Sequence, residues 1–416
     1  MSTEIILGSI TVITMAGITL RPWRLPEAVW GGLAVAALLL FKLMTLSDVW
    51  HGIARGNDVY LFLAGMMILA ELGRQHGVFD WLASHAARAA GGSGSKLFLL
   101  VYLAGTLVTV LLSNDATAVV LTPAVYAVAR AVDAPPLPYL FLCAFVANAA
   151  SFVLPVSNPA NLVVFGAHMP GLADWLALFL LPSLGAIVAT YLALRWLLRD
   201  AIQPTIRSTV EMVQLTPSGR LTLAALAATA LVLCVASALH LELGPVTLGA
   251  AVLALLTTCV RARTSPTGVL RALSWDVLLM VASLFVLIEA LQAHGVVAAL
   301  AQWQQQLHGA APQFANSLTG TILALASNLF NNLPTGLLGA ATLDHLDAAM
   351  PLRAASLIGI DIGPNLSVTG SLATILWLTM LRREGVQVGA WQFLKLGALV
   401  MPAGLLAALL LLQVQS

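Results

Sequence analysis

The chain has 416 residues, 60% hydrophobic and 9% charged, with a mean hydropathy of +0.94. A soluble domain carries about 25% charged residues. This composition therefore excludes a soluble globular enzyme, a disordered chain and a nucleic-acid binder, and predicts a polytopic α-helical membrane protein embedded in a lipid bilayer. Nineteen basic and 18 acidic residues leave a net charge of +1, so no charged tail or basic patch selects a polyanionic partner. Cys143, Cys234 and Cys259 lie far apart inside apolar stretches. With no C-x-x-C or Cys/His cluster, neither a disulfide framework, a metal site nor a cofactor is expected. The N-terminus lacks a basic n-region and a cleavage site, so the first apolar stretch reads as a retained span.

A bilayer core of roughly 30 Å needs about 20 apolar residues per helix. In chain order, ordinary spans are expected near 4–20, 27–46, 58–73, 137–166, 172–198, 219–240, 243–260, 276–292, 352–381 and 387–412. Two further apolar blocks, 97–130 and 315–350, are broken in the middle by Ser113-Asn114-Asp115-Ala116-Thr117 and by Asn331-Asn332-Leu333-Pro334-Thr335. Polar, helix-breaking sequence at membrane depth is tolerated only where protein or a water-filled cavity surrounds it. Both blocks are therefore read as re-entrant hairpins. With the N-terminus outside, 15 of the 19 basic residues fall in inner loops; Arg55 and Arg353 fall outside, and Lys42 and Lys395 within helices. This satisfies the positive-inside rule and places both termini outside.

Residues 58–82 and 276–300 match at a fixed offset of 218, with ten of 25 positions identical, including Asp58/Asp276, Glu71/Glu289 and His76-Gly77-Val78/His294-Gly295-Val296. The same offset pairs Asn114 with Asn332 and Thr117 with Thr335. In the expected topology the first copy runs inward and the second outward, the inverted-repeat design of secondary transporters with substrate at the midplane. The expected organisation is an N-terminal helix and loop (1–26), a first repeat (27–199), a cytoplasmic linker and connecting helix (200–242) and a second repeat (243–416).

Each half has a second interrupted helix, one through Asn148, Ser151, Pro155, Ser157, Asn158 and Asn161, the other through Asp361, Gly363, Pro364, Asn365, Gly370, Ser371 and Thr374. Pro and Gly break the helix, small polar residues satisfy the freed backbone, and the broken ends present N–H and C=O groups to a ligand. Four such breaks are expected to converge on one central cavity. Of the 18 acids only Asp115 and Asp361 fall at mid-membrane depth. Such a group is a functional candidate: a proton carrier or a counter-charge for a cation, with capping of a half-helix as the alternative. No Lys or Arg falls at the central clusters, which disfavours a multiply charged anion. The cysteines belong to no repeated cluster and read as small core residues.

At these residues the chain resembles the ion transporter superfamily and, within it, the bacterial arsenite/antimonite permeases of the ArsB family. Ser113-Asn-Asp-Ala-Thr through Pro123 is similar to that family's N-D-x-A…L-T-P tip, Val156-Ser-Asn-Pro-Ala-Asn161 to its V-S-N-x-x-N break, and Asn331-Asn-Leu-Pro-Thr335 to its N-N-M-P-T tip. The most specific match is Asp361-Ile-Gly-Pro…Gly370-Ser-Leu-Ala-Thr-Ile-Leu-Trp377, similar to D-L-G-P…G-S-L-A-T-L-L-W. The chain departs from the family at Asn148, where some members carry an acid, and at Asn365, where a lysine can follow the G-P. The resemblance implies export of trivalent arsenic and antimony hydroxides across the bacterial cytoplasmic (inner) membrane, driven by the proton gradient. It also implies a superfamily dimer and optional association with a soluble arsenite-stimulated ATPase; the chain has no nucleotide-binding motif of its own. On this reading the substrate-binding residues are Asn114, Thr117, Ser157, Asn158, Asn161, Asn331, Asn332, Thr335, Gly370, Ser371 and Thr374, with Asp115 and Asp361 coupling protons. The alternatives are a sodium- or proton-coupled antiporter or carboxylate transporter of the same fold, and a non-transporting membrane scaffold.

Overall fold

The computed structural model describes residues 3–209 and 211–415. Positions 1, 2, 210 and 416, at the ends of the expected first and last segments and in the expected linker, lie outside the described residues. The first half runs α1 (Thr3–Leu20), α2 (Glu27–Leu40), α3 (Leu46–Arg55), α4 (Asn57–Gln75), α5 (Val78–Ala90), α6 (Gly94–Leu111), α7 (Asn114–Ala116), a π-turn (Thr117–Leu121), α8 (Thr122–Ala131), α9 (Pro136–Ala149), α10 (Pro159–Phe165) and α11 (Leu172–Leu197). The second runs α12 (Pro217–Ala238), α13 (Leu243–Ala262), α14 (Thr267–Ala272), α15 (Trp275–Ala293), α16 (Val296–Ala310), α17 (Ala315–Phe330), α18 (Asn332–His345), α19 (Met350–Ile362), α20 (Leu372–Arg383) and α21 (Ala390–Gln415). The chain is an all-α polytopic membrane protein.

The offset of 218 carries α4 onto α15 and α11 onto α21 residue for residue, and pairs α1 with α12, α5 with α16 and α6 with α17. α4 and α15 run in opposite directions. The start of α4 (Asp58, Val59) shares a cavity wall with the end of α15 (Ile288, Glu289), and Arg55 reaches Glu289 at 2.7 Å. The end of α4 (Ala70, Glu71) shares another wall with the start of α15 (Ser274, Val277).

Among the described residues, seven helices are long and apolar enough to cross a membrane, and eight if α3 and α4, bent by 52°, form one span. The difference from ten expected spans has a local cause: α2 and α9 have 14 residues each, and the runs 137–166 and 352–381 are cut at their Pro/Gly breaks. Conversely α6, expected as the first arm of a hairpin, is itself long enough to cross. The stretch 292–316, expected as an outer loop, is largely α16. Lys42 lies beyond the end of α2, in a turn at φ +56°. Arg353, expected in an outer loop, sits buried in the first turn of α19. There it pairs with Asp344 at 2.9 Å and donates to the carbonyls of Val164, Leu343 and Ala348, which compensates a buried guanidinium.

Both broken blocks are helical hairpins. In the first, Thr117 Oγ1 meets Thr109 Oγ1 at 2.8 Å across the reversal at Leu112-Ser113. In the second, the chain reverses at Asn331, and the backbone of Gly339 comes opposite Leu323. α17 packs on α19 and the turn that follows it through Gly320, Gly359 and Gly363, where any Cβ would strike the facing backbone. Such small-residue contacts let membrane helices approach closely where no hydrophobic force drives them together.

Candidate functional site

Four helices begin at one place. The first residues of α7 (Asn114, Asp115), α10 (Pro159, after Asn158), α18 (Asn332, Leu333) and α20 (Leu372, Ala373) line a central cavity of about 280 Å³, completed by Leu63 of α4 and Val277 of α15. Each start follows from its sequence. Ser113 Oγ accepts from Ala116 N–H at 3.1 Å, Asn158 Oδ1 from Ala160 N–H at 3.1 Å, Asn331 Oδ1 from Leu333 N–H at 3.4 Å and Ser371 Oγ from Thr374 N–H at 3.1 Å. Side-chain acceptors of this kind fix where a helix begins. Helix N-termini carry partial positive charge, so backbone N–H groups supply the positive character of a wall that holds no Lys, Arg or His. The carboxylate of Asp115 stands there without an ion-pair partner among the described residues.

Of the 13 expected site residues, the structure brings Asn114, Asp115, Asn158 and Asn332 to this wall. The others build the frame behind it. Ser157 Oγ donates to Val110 O at 3.0 Å and accepts from Leu154 N–H at 3.2 Å. Asn161 Nδ2 gathers the carbonyls of Ser151, Leu154 and Pro155, stapling the open break. Thr335 Oγ1 donates to Asn331 O at 2.8 Å, and Thr117 is spent on the hairpin's other arm. Ser371 and Thr374 share a hydroxyl contact at 2.9 Å. Gly370 accepts from Asn332 N–H at 2.9 Å, and a Cβ there would strike Pro364 and Asn328. That bond, with Asn331 Nδ2 to Thr369 O at 3.4 Å, ties the second tip to the second break.

Asp361 lies fully buried, away from the cavity wall, and joins the two halves. Its carboxylate accepts from Ser151 Oγ at 2.7 Å and Asn158 Nδ2 at 2.8 Å, both on the first half's break. The same Asn158 caps α10 with its oxygen, so one side chain fixes both the half-helix start and the acid. The two departures from the family pattern are partners: Asn148 Nδ2 donates to Asn365 Oδ1 at 3.0 Å. Residue-by-residue reading missed the apolar part of the wall, Leu63, Val277, Leu372 and Ala373. The signal was present, since Leu63 and Val277 lie in the two segments that repeat most visibly.

Two larger cavities approach the centre from opposite ends. One, of about 710 Å³, lies between Glu71 on α4 and Ser274 at the start of α15, and reaches Ser113 and Asp115. The other, of about 1150 Å³, lies between Arg55, Asp58 and Glu289, and stops at Val59, Leu162, Val163 and Leu337. Their walls are repeat images: Glu71 and Glu289, Val277 and Val59, Val119 and Leu337. Among the described residues the symmetric fold is asymmetric here: the first of these cavities reaches Asp115 and the second does not.

The citrate transporter family profile matches residues 11–359. An arsenical pump membrane protein of Escherichia coli is 29% identical over 399 residues, covering 92% of each chain, and one of Yersinia enterocolitica is 27% identical over 413 residues, covering 95% of each. The solved Alcanivorax borkumensis YdaH transporter aligns over 90% of this chain and 88% of its own, with a TM-score of 0.59 at 18% identity, a likeness of fold. The chain belongs to the citrate transporter family and is a multi-pass α-helical membrane transporter.

Proposed function

We propose that the chain exports trivalent arsenic and antimony hydroxides from the cytoplasm in exchange for protons. The observation that carries this reading is the central wall: one unpaired carboxylate and three amides at four converging helix starts, with no basic side chain. Arsenous acid is a small uncharged trihydroxide. Its hydroxyls donate to Asp115 and to the amide oxygens of Asn114, Asn158 and Asn332, and accept from their N–H₂ groups. The names of the Escherichia coli and Yersinia relatives support the cargo class.

In this cycle Asp115 takes a proton when the centre opens outward and releases it inward, so cargo leaves as a proton enters. The 710 Å³ cavity is then the cytoplasmic vestibule, consistent with the excess of basic residues assigned to that side, and both termini lie outside. The apolar floor of the opposite cavity, Val59, Leu162, Val163 and Leu337, is the closed outer gate. Alternation moves the tips and breaks against Leu63 and Val277. Asp361 sits where it positions Asn158 and the α10 start, and a proton-coupling role for it requires exchange through Ser151 and Asn158. Residence in the bacterial inner membrane, a homodimer and an energising soluble ATPase belong to the same proposal.

A second reading, a carboxylate transporter, is favoured by the family's description and by the electropositive helix starts. The two separate in everted membrane vesicles. With an imposed inside-acid gradient, the proposal expects arsenite accumulation that collapses with an ionophore, ignores sodium and is not competed by citrate. Absence of arsenite uptake with citrate-competed or sodium-dependent carboxylate uptake overturns it.

A further inference from the structure

A third large cavity, of about 990 Å³, lies behind the second hairpin tip, between α1, α15, α16, α17, α18 and α19, and no step of transport uses it. Its origin is legible in the repeat. α5 turns an alanine face to its neighbours through Ala83, Ala86, Ala87 and Ala90, all buried. The last three correspond in α16 to Gln304, Gln305 and His308. Of the α16 face only Val297, Ala301 and Gln304 are buried, and Gln304 reaches α17 through a side-chain bond to Thr319. α16 is held off α17 where α5 closes on α6.

The cavity's five hydroxyls have no proton to offer. Thr11, Thr319, Thr335, Thr342 and Ser356 donate to the carbonyls of Leu7, Ala315, Asn331, Leu338 and Leu352 of their own helices or tip, at 2.7–2.9 Å. Ordered water needs two to four polar partners, and apart from these hydroxyls, already turned to backbone carbonyls, the lining is almost wholly apolar, so this space suits an apolar occupant better than water. The space is a groove open at one side rather than a closed interior void, so matter from outside the protein can enter it. Two of its lining residues, Trp303 and Phe330, are 47% and 41% exposed, and on α17 the large apolar Leu325 and Leu329 beside Ala326 and Phe330 of the lining are exposed as well, an apolar surface suited to lipid. We infer that the cavity holds an acyl chain of a membrane lipid, drawn in between α16 and α17. The chain rests against Pro334 and Thr335, the first turn of α18, behind the cargo-facing Asn332.

The test uses the full-length protein in vesicles of phosphatidylcholine carrying a photoactivatable diazirine in one acyl chain, with adducts mapped after irradiation and digestion. Adducts are expected on α16–α18, at Trp303, Leu323 and Phe330. Two cavity-filling variants, Ala326→Phe and Gly339→Leu, should lower them at least tenfold while adducts on the outward-facing Leu192 of α11 persist. A Cβ at Gly339 meets its neighbours only at ordinary contact, 3.8–3.9 Å, so the branch begins without a clash, and Gly339 itself lines the cavity that the rest of the side chain would enter. Labelling of α16–α18 no stronger than background, or unchanged in both folded variants, overturns the inference. So does reaction of Ala326→Cys with a membrane-impermeant maleimide, which would make the cavity aqueous.

Discussion

The two hairpin tips occupy the same register of the repeat and have become different devices. Asn114 and Asn332 both reach the central wall, and Thr117 and Thr335 both brace their tips from behind. Next to these shared residues the first tip has Asp115 where the second has Leu333. The first continues into a π-turn, Thr117–Leu121, a local widening frequent at functional sites, whereas α18 continues as regular α-helix. The second is tied to the neighbouring break through Gly370 and Thr369. On the proposed function, what the repeats share positions the cargo, and what they do not share carries the coupling. A two-fold fold can hold two equivalent gates, but it needs only one titrating group per cycle.

The sharpest way to break the comparison is Asp115→Asn. The amide keeps the side chain's shape and loses the proton, so proton-driven arsenite accumulation in vesicles should fall at least about tenfold, the equivalent of ~1.4 kcal/mol. Adding Leu333→Asp to that variant tests whether the asymmetry is positional. Leu333 lies on the central wall but not on the wall of the 710 Å³ cavity, so transport should not return; recovery would mean that the tips are interchangeable. Asn114→Ala and Asn332→Ala sample the shared part. Each should raise the KM for arsenite by a similar factor, about tenfold; a large effect at one and none at the other would contradict equivalent cargo roles. Ser151→Ala removes one of two donors to the buried Asp361 and should cost about 1.5–3 kcal/mol of stability, read as a lowered Tm in detergent. The smallest pair is Thr117→Val against Thr335→Val. The first loses a bond between two hairpin arms, about 1 kcal/mol, and the second only a bond within its own tip, so the first should lower Tm more.

The fold was legible where one sequence signal dominates. Apolar runs of span length predicted α1, α11, α12, α13, α15 and α21, and the Pro/Gly clusters predicted the breaks at 150–158 and 363–371. α16 was not legible as a helix because its glutamines and short length resemble a loop. Its identity shows only through the repeat, as the image of α5. Arg353 was misplaced because charge alone reads as loop, whereas four oxygen acceptors brought together by α10, α18 and the α18–α19 turn bury it. Within the site, residue type identified the polar clusters but not their facing. Thr335 and Asn332 are three residues apart, yet one faces an apolar cavity and the other the centre. The contact between Asn148 and Asn365 joins positions more than 200 residues apart, and no local pattern announces it.

On the proposed function Asp115 links cargo to protons rather than merely contacting cargo. Proteoliposomes carrying a pH-sensitive dye test it, with an imposed arsenite gradient and, in parallel, radiolabelled arsenite exchange at equal concentrations. The native protein should move protons against arsenite, and Asp115→Asn should keep measurable arsenite exchange while its arsenite-driven proton flux disappears. Proton flux in Asp115→Asn equal to that of the native protein would contradict that link.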